Sequence, residues 1–331
     1  MELFTTKNLS FTYPLCEGEA IKNINITVNE GDFVTVCGRS GCGKTTLLKM
    51  LKPLVTPYGE KTGDIVFMGK STDELSPLEA ASEIGFVFQD YDSAIVCDKV
   101  WHELAFGLEN LGVDNEEMHS RVGETAIFFG IDKWIDEDVA NLSGGQKQIL
   151  NLAATMITRP RVLILDEPCA QLEPVAAERF MDAIEKLNRE MGTTVIMSEH
   201  NPSRTFTLSN KIIVMDNGKV IAEGNPSQIL EIIAKNKELY LAIPEISRLY
   251  VELEDNYSNI PADVVSARAW FSQYCREHKR NADDIRKYCN EKVKIELCNV
   301  YFRYEKHERD ILTNLSMQVF EGEVLCIMGA N

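Results

Sequence analysis

The chain has 331 residues, 44% of them hydrophobic and 26% charged, with a formal net charge of −17. That length suits one large domain with a substantial appendage, and the acidic balance excludes the clustered Lys and Arg of a nucleic-acid footprint. No apolar stretch reaches the roughly 20 residues of a membrane-spanning helix, the first residues lack a leader pattern, and nine cysteines without a Cys-x-x-Cys spacing read as reduced thiols. In chain order, residues 3–13, 20–28, 32–37, 65–68 and 84–88 read as strands, and 44–52 as a short helix after a glycine-rich turn. From about 100 to 158 the period is helical, broken near Gly112, Gly130 and Asn141. Residues 162–165 form a continuous apolar run of the kind buried on both faces of a parallel sheet. A periodic helix over 175–191 follows, then strands at 194–197 and 212–215, the latter joined to 219–222 by the hairpin turn Asn217-Gly218. Strands alternating with helices predict an α/β domain over residues 1–230, with a helical subdomain inserted at about 90–160. Beyond it, 227–250 and 262–288 read as helical and 251–259 as an acidic turn, giving a helical extension and linker over 231–290.

Three motifs carry chemistry. Gly38-Arg39-Ser40-Gly41-Cys42-Gly43-Lys44-Thr45 fits G-x-x-x-x-G-K-[ST] between a strand and a helix. Its glycines let backbone N–H groups turn toward phosphates; Lys44 would reach the outer phosphates, and Thr45 would offer its hydroxyl to Mg²⁺. Asp166-Glu167-Pro168 ends the buried run at 162–165, at the strand end where open α/β sheets bind ligands. Asp166 suits holding Mg²⁺ through water, and Glu167 suits polarising an attacking water as general base. Leu142-Ser143-Gly144-Gly145-Gln146 opens a helix over 146–158, with Ser143 as N-cap and Gln146 as its capping-box partner. That turn is either a well-capped helix start or a second anion site. Tyr13 could stack on a base or fill a core. Gln89 and His200 each follow a predicted strand, where a histidine by itself is commonly structural.

The last forty residues repeat the first. An offset of 291 aligns Asn8, Phe11, Tyr13, Asn23, Val28, Gly31 and Gly38 with Asn299, Phe302, Tyr304, Asn314, Val319, Gly322 and Gly329, without a gap. Residues 291–331 therefore read as the start of a second domain that stops at Gly329-Ala330-Asn331, where its own glycine loop would begin. That tail is expected to supply no nucleotide site, leaving Tyr304 without a loop to serve. Its apolar runs at 317–320 and 324–328 would be loosely ordered or held by another surface.

Taken in order over residues 1–226, these motifs resemble the ATP-binding-cassette (ABC) ATPases. The resemblance implies a P-loop NTPase α/β fold with an antiparallel β subdomain and an inserted helical subdomain, binding ATP and Mg²⁺. It implies that Tyr13 stacks on adenine and that Gly38, Ser40, Gly41, Cys42, Gly43, Lys44, Thr45 and Thr46 hold the phosphates. Thr45, Gln89 and Asp166 would serve Mg²⁺, with Glu167 and the switch histidine His200 catalytic. Ser143, Gly144, Gly145 and Gln146 match the family signature, which acts on ATP held by a second cassette.

The runs Phe88-Gln89-Asp90-Tyr91-Asp92-Ser93 and Ala105-Phe106-Gly107-Leu108-Glu109-Asn110 resemble the ATPases of energy-coupling-factor importers, some of which carry two cassettes in tandem. That implies a homodimeric or heterodimeric cassette pair at the cytoplasmic face of the cell membrane. The pair would dock on a transmembrane coupling subunit that holds a substrate-capture subunit for a vitamin or metal ion, with no nucleic acid involved. Docking would use residues 100–108 and the loop after Gln89, with Glu103 and Phe106 facing the partner. Glu173 departs from the family's usual Asp, and Trp101-His102 from its usual acidic residues. The alternative is a soluble tandem-cassette ATPase acting on translation, whose long basic linker contrasts with the mixed charge of 227–290. A chromosome-maintenance ATPase would need a long coiled coil between Gln89 and Ser143, and that interval is too short for one.

Overall fold

The computed structural model describes residues 1–199, 202–254, 256–278, 292–303 and 310–327; His200, Tyr304 and Gly329 lie outside them. The chain packs as two units, Met1–Arg268 and Ala269–Asn331. The first opens on β1 (Glu2–Thr12), which buries Leu3, Phe4, Leu9 and Phe11. In place of one strand over 20–28 there are two, β2 (Ile21–Ile24) and β3 (Thr27–Asn29). The division follows from β1, which takes a left-handed φ of 49° at Asn8, donates that residue's N–H to Asn25 Oδ1 (2.8 Å), and changes register along its length. β4 (Phe33–Gly38) runs into the glycine loop and α1 (Lys44–Met50). β5 (Glu60–Phe67) starts well before the apolar run at 65–68, because its polar half is held by antiparallel pairing with β1. With β6 (Lys70–Ser71) these strands form an antiparallel sheet in the order β2-β1-β5-β6, β3 pairing with β1. α2 (Pro77–Glu83) had no periodic signature at seven residues, although Ser76 and Glu79 form a capping box around Pro77.

After β7 (Ile84–Val87) comes the helical insertion of α3 (Val100–Asn110), α4 (Asn115–Phe129) and α5 (Gly144–Met156). Leu104, Leu108, Val122, Ala126, Leu150 and Ala153 form its own core. β8 (Val162–Asp166), α6 (Pro174–Met191), β9 (Thr194–Ser198), α7 (Thr205–Leu208), β10 (Lys211–Asp216) and β11 (Lys219–Gly224) return the chain to the second sheet. Its order is β11-β10-β4-β9-β8-β7; β10 through β7 are parallel, and β11 is antiparallel. Asn217 and Gly218, with φ of 46° and 79°, make the connecting hairpin turn. β8 is apolar from Val162 to Leu165 because these residues alternate between two cores. Val162 and Ile164 join the core with Leu47 and Leu48 of α1, whereas Leu163 and Leu165 join Phe180 and Ile184 of α6.

α8 (Pro226–Ile233) buries Ile229, Leu230 and Ile233 and packs on β10 and β11. The helix expected over 227–250 is interrupted by a tight turn at Lys237–Ala242. α9 (Glu245–Glu254) then runs into the residues read as an acidic turn. It does so because Ser247 Oγ donates to Pro261 O (2.6 Å) and Val251 is buried, so the segment has an apolar side. α10 (Val264–Glu277) accounts for the first half of the helix read over 262–288, and residues 279–291 are outside the description.

In the second unit β12 (Val293–Phe302) and β13 (Leu312–Phe320) form an antiparallel hairpin. The pairs Val300–Leu315 and Phe302–Leu312 reproduce Leu9–Ile24 and Phe11–Ile21; Val293–Phe320 and Ile295–Val319 reproduce Glu2–Asn29 and Phe4–Val28. Asn299, Asn314 and Gly322 have φ of 51°, 52° and 80°, against 49°, 48° and 77° at Asn8, Asn23 and Gly31. Ser316 Oγ accepts the Asn299 N–H (2.9 Å) just as Asn25 accepts that of Asn8. The sequence repeat is thus a repeat of register, local backbone and hydrogen bonding. Residues 323–327, which include the described part of the apolar run at 324–328, form no strand. The corresponding strand β4 is held between β9 and β10, and the described residues of the second unit contain no strand of that kind.

At the turn from β4 to α1, Gly41 and Gly43 have φ of 77° and 107°. A Cβ at Gly43 would stand 2.7 Å from Ala20 O, whereas one at Gly41 would meet nothing within 4 Å. In urea unfolding, Gly41→Ala should cost about 1 kcal/mol for a left-handed alanine. Gly43→Ala should cost about 3 kcal/mol, because the backbone must also move; equal losses would remove the contact with Ala20 as the reason. Amide exchange of β8 should be slow and that of residues 323–327 fast, since only the former lies in a ladder paired on both sides. Equal protection of the two segments would show that 323–327 has found a stable pairing.

Candidate functional site

β4, β9 and β8 are neighbours running in parallel, so their carboxyl ends, Gly38, Ser198 and Asp166, share one edge of the sheet. Asp166 and Ser198 are paired in register. Asp166 Oδ1 accepts two hydroxyl hydrogen bonds, from Thr45 Oγ1 (3.0 Å) and from Ser198 Oγ (2.9 Å). The Glu167 N–H donates to Ser198 Oγ (3.0 Å) and to the Ser198 carbonyl (3.2 Å). Lys44 Nζ lies 3.7 Å from Glu167 Oε1 and donates to the Gly38 and Arg39 carbonyls at 3.1 and 3.2 Å. Lys44, Asp166 and Glu167 are only 4%, 4% and 8% exposed, so each buried charge needs these partners. The Thr45 hydroxyl beside the Asp166 carboxylate is a set of hard oxygen donors, which fits Mg²⁺.

Ser40 and Gly41 are exposed at the tip of the loop, and Cys42 is buried behind it. Burial pushes the Cys42 thiol up, against the pull of Lys44, and pushes Cys37 up to about 12. Both are therefore protonated thiols at neutral pH, and neither has thiolate reactivity. Tyr13 is half-buried against the core that contains Phe11. Its ring packs edge-on against Phe11, with centroids 5.0 Å apart, and its half-buried hydroxyl hydrogen-bonds Thr46 Oγ1 (3.0 Å).

Gln89 is exposed two residues beyond β7, the strand flanking β8. The Ser143–Gln146 capping box is formed: Ser143 N–H donates to Gln146 Oε1 (2.8 Å), and Gln146 N–H donates to Ser143 Oγ (3.4 Å). A Cβ at Gly144 would lie 2.5 Å from the Tyr91 hydroxyl, and one at Gly145 2.8 Å from Ala176 Cβ. Lys147 pairs with Asp92 (2.7 Å), which ties this turn to the segment after Gln89. Gln148, fully buried, donates to the Pro168 carbonyl (2.8 Å), next to Glu167. Burial and the nearby Glu199 push the Cys169 thiol up.

Sequence reasoning missed Ser198 and Gln148. No local motif marks either one, and only strand pairing and helix packing bring them to the carboxylates. It also misjudged Glu103, which was expected to face a partner. Glu103 is buried, and its Oε2 accepts the N–H groups of Val96 (3.0 Å) and Cys97 (2.8 Å), bracing the turn before α3. The outward apolar side chains there are Val96, 65% exposed, and Phe106, 39% exposed. Trp101 stacks on His119 with centroids 4.8 Å apart.

The sequence pattern described as ABC transporter matches residues 21–170. A Bacillus cereus protein bearing the name of an ABC transporter ATP-binding protein is 35% identical over 324 residues. The match covers 98% of this chain, which spans only 58% of that relative's length. A Pyrococcus abyssi protein of the same description is 34% identical over 257 residues, covering 77% of this chain and 91% of the relative. Among solved structures, cbiO1 from Clostridium perfringens, described as part of the ABC transporter complex cbiONQ, aligns with a TM-score of 0.64 at 28% identity. That alignment covers 76% of this chain and 95% of cbiO1. A dimeric ATP-binding cassette in a post-hydrolysis state with ADP and Pi aligns with a TM-score of 0.59 at 27% identity, covering 68% and 99% of the two chains. By sequence and by its P-loop cassette fold, the chain belongs to the ABC transporter family of ATPases.

Proposed function

We propose that this chain is the ATP-hydrolysing subunit of an energy-coupling-factor type importer for a small micronutrient, a vitamin or a metal ion. The observation that carries the ATPase part is the Thr45–Asp166 hydrogen bond of 3.0 Å, which joins the glycine loop to the strand-end carboxylates beside Lys44. The likeness to cbiO1, described as part of an ABC transporter complex, supports the importer part. No helix among the described residues is long and apolar enough to cross a membrane; in this reading a transmembrane coupling subunit and its substrate-capture subunit are the partners of the cassette.

In this reading Lys44 and the loop amides of Gly38, Ser40, Gly41, Cys42, Gly43 and Thr46 bind the phosphates of ATP. Tyr13, anchored through its hydroxyl, presents its ring to adenine. Thr45, Asp166 and Gln89 would hold Mg²⁺, which when bound offsets charge on the phosphates. Glu167 takes the proton of the attacking water; in the described state its carboxylate faces Lys44, and phosphates drawn to Lys44 would compete for that contact. His200 would stand near the outer phosphate. Ser143, Gly144, Gly145 and Gln146 would close on ATP held by a second cassette, homologous or identical, at the cytoplasmic face of the membrane. Residues 1–230 are assigned to the cassette, 231–290 to a helical extension, and 291–331 to the opening of a second cassette, a reading favoured by the repeated strand register.

Lys44→Ala should weaken ATP binding about 10²-fold in an equilibrium titration, through loss of charge-assisted hydrogen bonds. Glu167→Gln should keep ATP affinity and slow hydrolysis by about 10²- to 10⁴-fold. Unchanged binding in the first variant and unchanged turnover in the second would overturn the site. For docking, Val96→Asp with Phe106→Asp should abolish recruitment to membranes carrying the coupling subunit while ATP affinity stays the same. Undiminished recruitment in a pull-down would place the docking surface elsewhere.

A further inference from the structure

Ser198 takes part in none of the motifs, yet every side-chain hydrogen bond it makes ends on the Asp166-Glu167 pair. It is fully buried at the end of β9 and lies opposite Asp166 in the strand register. Its single hydroxyl proton goes to Asp166 Oδ1, and its oxygen accepts the Glu167 N–H. Both partners need an outside hold. Asp166 Oδ1 is gripped from two elements at once, Thr45 of α1 and Ser198 of β9, so the carboxylate cannot rotate without breaking two hydrogen bonds. Glu167 has a φ of 46°, a left-handed backbone that a side-chain-bearing residue adopts only when its surroundings impose it. The Ser198 hydroxyl and carbonyl, 3.0 and 3.2 Å from the Glu167 nitrogen, accept its N–H in that conformation.

We propose that Ser198 is a positioning residue for hydrolysis, its hydroxyl setting the directions of Asp166 and Glu167 relative to one another. The inference rests on the assignment of Glu167 as general base and Asp166 as the metal-side carboxylate. The hydroxyl is fully buried and its hydrogen bonds are to Asp166 and Glu167, so its influence runs through those two residues. It acts on the chemical step by keeping two adjacent residues, the last of β8 and the one after it, in one fixed arrangement. Its removal therefore affects turnover and leaves ground-state nucleotide binding in place.

The test measures kcat, KM and equilibrium ATP affinity in Ser198→Ala, Ser198→Thr and Ser198→Val, with Glu167→Gln alongside. Thr and Val have nearly the same volume and differ in the hydroxyl, so their comparison separates the hydrogen bonds from packing in a closed site. Ser198→Ala should lower kcat by up to about 10²-fold, the scale of a misplaced catalytic group. KM and ATP affinity should stay within about threefold. Thr should turn over about tenfold faster than Val, because it retains the donor and acceptor that Glu167 and Asp166 require. Three results would each overturn the proposal: Ala at the parent kcat, Thr and Val equally slow, or loss of ATP affinity in step with kcat. An inactive Glu167→Gln with a fully active Ser198→Ala would sink this inference alone. A fully active Glu167→Gln would instead remove the assignment on which it rests.

Discussion

β8 has cores on both its faces, and that burial dictates where chemistry can sit. Val162 and Ile164 face the core with α1, Leu163 and Leu165 the core with α6, and all four are fully buried. A carboxylate within that stretch would lose its hydration with no partner, at a cost the fold could not bear. The first position where an acidic side chain can survive is the carboxyl end, where Thr45, Ser198 and Lys44 supply donors and a counter-charge. Asp166 and Glu167 occupy that end. The parallel order β4-β9-β8 then delivers the glycine loop to the same edge.

The helical insertion is attached to this edge by specific polar links as well as by packing. Gln148 reaches from α5 to the carbonyl of Pro168, directly after Glu167, and Lys147 pairs with Asp92 in the segment after Gln89. Glu103 holds the next turn through two backbone amides. Polar links thus hold both the segment after Gln89, through Lys147, and the residue after Glu167, through Gln148, to α5. The Ser143 capping box opens the same helix, and the Tyr91 hydroxyl lies close against Gly144 within it.

The repeat in the second unit shows how much of a strand pair is local. β12 and β13 reproduce the left-handed asparagines and the register of β1 with β2 and β3, and Ser316 accepts the Asn299 N–H where Asn25 accepts that of Asn8. These features depend on turn chemistry and on neighbours within about thirty residues. Residues 323–327, by contrast, remain outside any strand, because the partners that define β4 in the first unit come from distant chain. Local sequence specifies a hairpin, and a central parallel strand exists only through long-range pairing.

By itself the sequence determined the features whose cause is local or whose residue types admit few alternatives. The glycine loop, the Ser143–Gln146 cap, the Asn217-Gly218 turn and the buried run ending in Asp166-Glu167 all belong to this group, and each stands where it was read. It misread what depends on partners. The polar half of β5 is a strand because β1 pairs with it, the segment over 20–28 divides because β1 changes register, and Glu103 turns inward because two amides await it. Ser198 is the clearest case. Nothing in Met197-Ser198-Glu199 distinguishes that serine, and its place beside Asp166 is set by the pairing of β8 with β9 across the intervening 18-residue helix α6 and its flanking loops. A hydroxyl's function depends on what it faces, and in a parallel sheet that is decided by register between strands, which only the folded chain supplies.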